Sequence, residues 1–251
     1  MQKLTTKIFI DGGEVAETIR ANEFFLAHFG YPLDGQTTNP SLIAKNLQAK
    51  MEQEGNAGKL TPELAIEEYK KIVRAISSLL PHGSVSIQVF ANKETPADEM
   101  LTQARERITW IQNASIKIPC TLEGLKAAVI VCKEMPINIT LVFSLSQGLM
   151  MSKLGVYYIS PFIGRLDDVG EDGLELIMQL RHMLDQYQFP TKLLTASIRD
   201  VERFEGSIMA GADVATVPVA VLEQAVVHPL TDKGMAQFLK DWQSLHIERF
   251  P

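Results

Sequence analysis

Hydrophobic and polar positions along this chain fall into two alternating periods from one end to the other. Short β-prone runs occupy Lys7–Asp11, Leu33–Thr38, Ser84–Val89, Ala114–Ile118, Ile137–Phe143, Val156–Ser160, Thr191–Ala196 and Asp213–Val217. Brief apolar runs of this kind suit strands covered on both faces. Between them lie stretches with the 3.6-residue period of an amphipathic helix, at Pro62–Leu80, Pro96–Ile111, Leu122–Glu134 and Gly173–Tyr187. In the second, Met100, Leu101, Ala104, Ile108 and Ile111 recur three or four apart and make one apolar face. Thr61 before Pro62 is a cap residue followed by a first-turn proline, a helix start. Met51–Lys59 is polar, holds two glycines and reads as a loop extension.

Strands alternating with helices imply parallel strands joined by helical crossovers. Eight such units in 251 residues have the length of an α/β protein built as a (β/α)8 TIM barrel, with a doubly wound open sheet as the alternative. No linker or shift of composition divides the chain. Residues 1–251 therefore read as a single domain, with 231–247 as an additional C-terminal helix. In that extension Met235, Phe238, Leu239 and Trp242 share a helical face that needs covering, either by the same barrel or by a neighbouring subunit. A homo-oligomer is the expectation.

Composition removes several classes of function. A formal charge of −6 and a pI near 5.4 argue against a nucleic-acid or anionic-membrane surface. The two cysteines, Cys120 and Cys132, form no Cys-x-x-Cys, and the five histidines lack metal-ligand spacing, so neither a disulfide framework nor a metal is expected. Glycine-rich nucleotide signatures are missing. The first apolar run, Ile8-Phe9-Ile10, is too short for a signal-peptide core, and no stretch approaches a membrane span. These features suggest a cytoplasmic protein without a membrane or nucleic-acid partner.

Chemistry enters with Ala114-Ser115-Ile116-Lys117-Ile118-Pro119, which sets one lysine inside a buried, β-prone run. Burying an unpaired ammonium is expensive, and burial turns lysine towards the neutral amine that attacks carbonyls. A barrel keeps its active site at the C-terminal ends of its strands. The other polar residues at those ends are Asp11, Thr37, Asn39, Gln88, Asn138, Thr140, Ser160, Arg165, Ser197 and Arg199. Asp11 can take a proton from a hydroxyl beside a breaking bond. The amides of Asn39 and Asn138 suit sugar hydroxyls. Arg165, Ser197 and Arg199 suit a phosphate or similar anion. Each has a plainer reading too: Asp11 or Asn39 as a helix cap, Thr140 as a strand filler, Arg165 paired with Asp167 or Asp168.

These residues carry a resemblance to the transaldolase family, including its relatives the fructose-6-phosphate aldolases. The matching segments are Phe9-Ile10-Asp11, Thr37-Thr38-Asn39-Pro40-Ser41, Ile116-Lys117-Ile118-Pro119, Asn138-Ile139-Thr140-Leu141-Val142-Phe143-Ser144, Ser160-Pro161-Phe162-Ile163-Gly164-Arg165, Ala196-Ser197-Ile198-Arg199 and Val219-Ala220-Val221-Leu222-Glu223. The resemblance implies a (β/α)8 barrel and a metal-free, cofactor-free class I mechanism with Lys117 as the Schiff-base residue. It assigns Asp11 to proton transfer, and Asn39, Asn138 and Ser160 to a bound dihydroxyacetone unit. Arg165, Ser197 and Arg199 match its phosphate positions, and Gln88 with Thr140 matches the pair that handles water. Transaldolases carry a glutamate where this chain has Gln88, while the aldolases carry glutamine. Those aldolases place a tyrosine where this chain has Phe162, the transaldolase residue. Gly12-Gly13 stands where Thr-Ala is common. The expectation is a transaldolase acting on sugar phosphates of the pentose phosphate type. The alternatives are an aldolase releasing free dihydroxyacetone, a transaldolase for a sulfonated ketose, and a barrel that binds sugar phosphates without catalysis.

Overall fold

The computed structural model describes residues 6–53 and 61–244. These residues form eight strands, β1 (Lys7–Asp11), β2 (Gly35–Thr37), β3 (Ser84–Gln88), β4 (Ala114–Pro119), β5 (Ile137–Val142), β6 (Tyr158–Pro161), β7 (Lys192–Thr195) and β8 (Val214–Val217). Each pairs in parallel with the next, and β8 pairs with β1 to close the ring. Closure rules out the open sheet. The helices are α1 (Val15–Phe29), α2 (Pro40–Gln53), α3 (Pro62–Leu79), α4 (Ala97–Arg107), α5 (Leu122–Val131), α6 (Leu145–Ser152), α7 (Ile163–Asp167), α8 (Gly173–Gln186), α9 (Val201–Met209), α10 (Val219–Gln224) and α11 (Pro229–Gln243).

The boundaries move for local reasons. Leu33 and Asp34 stay outside β2. The Leu33 N–H is taken by Asn22 Oδ1 at 3.1 Å, and the Asp34 carboxylate accepts the Ile8 N–H at 2.9 Å. After Arg107 the chain tightens into a 3-10 turn, Ile108–Trp110, so the predicted helix Pro96–Ile111 is two elements. Helix α3 starts where its cap required, with Thr61 Oγ1 accepting the Leu64 N–H. Helix α2 runs to Gln53, so Met51–Gln53 are helical rather than loop, and residues 54–59 lie outside the described residues.

Two hydrophobic clusters divide the work of burial. The larger lies between barrel and helices, where outward strand residues such as Ile10, Val85, Ile87, Ile116, Ile118, Ile137 and Ile139 are fully buried. The smaller fills the barrel itself with Phe9, Tyr158, Leu194, Ala196 and Val214, and Phe162 packs against it. The Phe9 ring needs the space that Gly35 leaves, since a Cβ there would come within 2.7 Å of it. The rest of the interior is polar. Ser86 and Ser115 share a hydrogen bond of 2.7 Å, the Asn138 amide donates to Ser86 Oγ, and Ser160 Oγ donates to Asn138 Oδ1 at 2.6 Å. A barrel core that is apolar below and hydrogen-bonded above leaves its upper mouth chemically equipped.

Helix α11 follows the last barrel unit and has no buried residue. Met235 and Phe238 are 56% and 67% exposed, and Leu239 is exposed beside them. Their own barrel leaves this face exposed, the face for which a neighbouring subunit is the expectation. Burying three such side chains is worth on the order of 5 kcal/mol or more. The protein should sediment at a multiple of 27.9 kDa at micromolar concentration, and Phe238→Asp should shift it towards monomer. A wild-type monomer would refute this.

Candidate active site

Pro119 closes β4 with Lys117 two residues earlier, facing into the barrel, only 2% exposed. Its Nζ donates to the Thr38 carbonyl at 3.1 Å and stands 6.0 Å from the centre of the Phe162 ring. Burial holds its pKa below that of an ordinary lysine, with the negative charge of Asp11 pulling the other way. Asp11, at the end of β1, is pushed in the opposite sense. Burial raises its carboxyl above the usual range, against the Lys117 charge and a 2.8 Å hydrogen bond from Thr37 Oγ1. Lys117 is thus drawn towards the neutral amine that a nucleophile requires, and the raised Asp11 carboxyl becomes a stronger base than an exposed carboxylate, suited to taking a proton and returning it.

Above them opens a cleft of about 590 Å³, lined by Asp11, Asn39, Gln88, Thr140, Phe162, Arg165 and Ser197 among others. Seven residues singled out in the sequence therefore meet at one surface. The remaining five take other places. Lys117 does not line the cleft itself but lies buried beside two residues that do, Asp11 and Phe162. Asn138 and Ser160 are buried in the polar interior network, and Asn138 has one N–H to spare. Thr37 is fully buried behind Asp11, also sharing a hydrogen bond with Thr216. Arg199 is turned outward onto Asp168 in a two-point ion pair, and Arg165 approaches the same carboxylate at 3.8 Å. Asn39 also caps α2, accepting the Leu42 N–H at 2.9 Å.

The rim is built by strained and close-packed backbone. Leu141 has φ 60° where the β5–β6 register shifts between Thr140 and Val142, and Ser197 has φ 61° after β7. Such conformations cost about 1–3 kcal/mol each and concentrate at functional sites. Gly164 brings the β6 loop onto the β7 loop, donating its N–H to the Ser197 carbonyl at 3.1 Å. A Cβ on it would sit 2.4 Å from that carbonyl oxygen and 2.8 Å from Arg199 Nε. The Thr140 hydroxyl is buried and has no protein partner, so it is available to a water or substrate atom.

The sequence reading missed Lys45, Ser41 and Phe90, which also line the cleft. Ser41 and Lys45 are four apart on α2 and so share one of its faces, a pairing legible in the sequence.

Residues 8–249 match the family described as Transaldolase/Fructose-6-phosphate aldolase. The chain belongs to this family. A "Probable transaldolase" of Lactiplantibacillus plantarum is 42% identical over 213 residues, covering 84% of this chain and 88% of that protein. A "Probable transaldolase 2" of Listeria monocytogenes is 39% identical over 239 residues, 95% of this chain and 96% of the relative. Among solved structures, the thiamine phosphate pyrophosphorylase from Pyrococcus furiosus superposes with a TM-score of 0.54 at 13% identity, covering 87% of this chain and 93% of its own. That likeness reports the barrel alone. With its family, the chain is an enzyme of the transaldolase and class I aldolase type.

In this transaldolase-family barrel the Lys117–Asp11 coupling has a measurable sign. Because burial lowers the lysine, the unfolded chain binds a proton the folded one does not between the two pKa values, and stability rises with pH across that window. Removing the Asp11 charge removes the influence that raises Lys117. Asp11→Asn should therefore move the pH at which Lys117 becomes reactive towards an amine-acylating reagent further down. An upward shift or none would show that the two charges do not interact.

Proposed function

We propose that this enzyme transfers a dihydroxyacetone unit between sugar phosphates through an imine on Lys117. The observation that carries the reading is a buried lysine, drawn towards its neutral form, beside the Asp11 that lines the cleft and whose carboxyl is raised by the same burial. The amine adds to the ketone carbon of a ketose phosphate such as fructose 6-phosphate or sedoheptulose 7-phosphate, and loss of water leaves an iminium. Asp11 takes the proton of the hydroxyl on the carbon beyond the breaking bond. As that C–C bond breaks, its electron pair passes into an enamine and an aldose phosphate departs. A second aldose phosphate then reacts in reverse, and water releases the new ketose from the lysine.

The remaining residues have roles suited to their positions. Asn39, Asn138, Ser160 and Thr37 face or support the dihydroxyacetone hydroxyls. Arg165, Ser197 and Arg199 take the terminal phosphate, for which Arg199 must exchange Asp168. Gln88 and the unpartnered Thr140 hydroxyl hold the water, and Phe162 closes the wall beside the amine. Gln88 cannot accept a proton, so it orients water without activating it. General-base help is typically worth 10²–10⁴-fold, so the imine persists until an acceptor arrives. This favours transfer over release. The same reading has a homo-oligomer working in the cytoplasm in pentose phosphate carbohydrate metabolism. Among the described residues no helix is long and apolar enough to cross a membrane.

Borohydride added with fructose 6-phosphate should fix a three-carbon adduct on Lys117, and Lys117→Arg should abolish turnover because a guanidinium stays protonated. Wild-type-like turnover by Lys117→Arg would end the imine mechanism. Dihydroxyacetone released as fast without erythrose 4-phosphate as it is transferred with it would reverse the ranking of transfer over release. At the far end of the cleft, Arg165→Ala should raise KM for phosphorylated substrates by about 1.5–3 kcal/mol, with little change in kcat. Equal discrimination by variant and wild type would place the phosphate elsewhere.

A further inference from the structure

Two large ionisable side chains lie buried behind the cleft and have no part in the chemistry above. Arg107, at the end of α4, is 1% exposed, and Tyr69, in the middle of α3, is fully buried. Both contact the peptide of Gln88. The Gln88 N–H donates to the Tyr69 hydroxyl at 2.9 Å, and the Gln88 carbonyl accepts from Arg107 Nη1 at 2.7 Å. No carboxylate pairs with Arg107 among the described residues. Its guanidinium lies instead over the rings of Phe90, at 4.5 Å, and Trp110, at 5.6 Å.

The clamp extends along the strand end. Gln103, one turn before Arg107 on α4, accepts the Phe90 N–H at 2.7 Å and donates to the Phe90 carbonyl at 2.9 Å. The intervening Val89 N–H donates to the Lys117 carbonyl at 3.0 Å. On the other side the tyrosine joins this segment to the lysine. Thr38 Oγ1 donates its one proton to the Ser86 carbonyl at 2.7 Å, so its 2.6 Å contact with Tyr69 has the phenol as donor. Thr38 in turn offers its carbonyl to Lys117 Nζ. One phenol thus fixes both the peptide that carries Gln88 and the residue that holds the amine.

We propose that Tyr69 and Arg107 are positioning residues that set the reach of the Gln88 amide, so that water meets the lysine imine in line. The inference rests on the reading of Gln88 as the water-orienting group. Displacements of about 1 Å in such a group can cost 10²-fold in rate.

The test uses the full chain with fructose 6-phosphate and no acceptor. Release of dihydroxyacetone is followed in parallel with the fraction of Lys117 that borohydride traps. Tyr69→Phe and Arg107→Met should slow release about tenfold to a hundredfold. KM should stay within twofold and the trapped fraction should rise, because water attack on the iminium carbon becomes slower than its formation. Arg107→Lys, which keeps a donor for the Gln88 carbonyl, should recover most of the rate. Tyr69→Phe should add nothing in a Gln88→Ala background. A trapped fraction that falls along with the rate would mean lost folded enzyme and would overturn the proposal, as would wild-type release by both variants. Gln88→Ala alone releasing at the wild-type rate would show that the reading of Gln88 had failed, and the clamp with it. Should Arg107→Met not fold, Tyr69→Phe, which removes a single oxygen, decides the question.

Discussion

An amine inside a protein must be either compensated or discharged, and burial moves Lys117 towards the second while the Asp11 charge acts the other way. Full burial of an ammonium costs several kcal/mol unless paired, and its hydrogen-bond acceptor is the neutral carbonyl of Thr38. Much of the molecule can be understood as keeping that position dry while preventing the lysine from escaping to solvent. The closed ring of strands supplies the enclosure, the apolar plug of Phe9, Tyr158 and Leu194 seals it from below, and Phe162 stands beside it. An open sheet with the same residues would let the side chain swing out and recharge.

The interior also shows how a polar network is made tolerable in such a place. Ser115, Ser86, Asn138 and Ser160 satisfy one another in sequence across β4, β3, β5 and β6. A network of this kind stabilises only when each member has its partner. Beside this network, the buried Thr140 hydroxyl has no protein partner and faces the cleft. The unfilled valence is therefore located where a reactant arrives.

Most of the barrel was legible because its strands are buried on both faces and its helices on one, which gives each a distinct period. The C-terminal ends of those strands then singled out Asp11, Gln88 and Thr140, which the fold brings to one cleft, and Lys117 beside it, without any knowledge of contacts. Tyr69 and Arg107 were not legible. Tyr69 looks like any apolar position on the inner face of α3, and Arg107 looks like a solvated last-turn cation. Only the packing of α3 and α4 against β3 turns them inward. The direction of Arg199 was likewise hidden, since sequence distance gives no hint that Asp168 captures it across thirty-one residues. The range of α2 was misread because the polar composition of Met51–Gln53 suits a loop as well as the helical backbone found there.

The Arg199–Asp168 pair means that Arg199 carries its counter-ion with it, a carboxylate held on both terminal guanidinium nitrogens. On the proposed reading, an incoming anion would find no bare positive charge there and would have to displace that tethered carboxylate, which is present at high local concentration. A weakly charged solute would compete poorly and a dianion better, so the pair would filter on charge before any contact with the rest of a substrate.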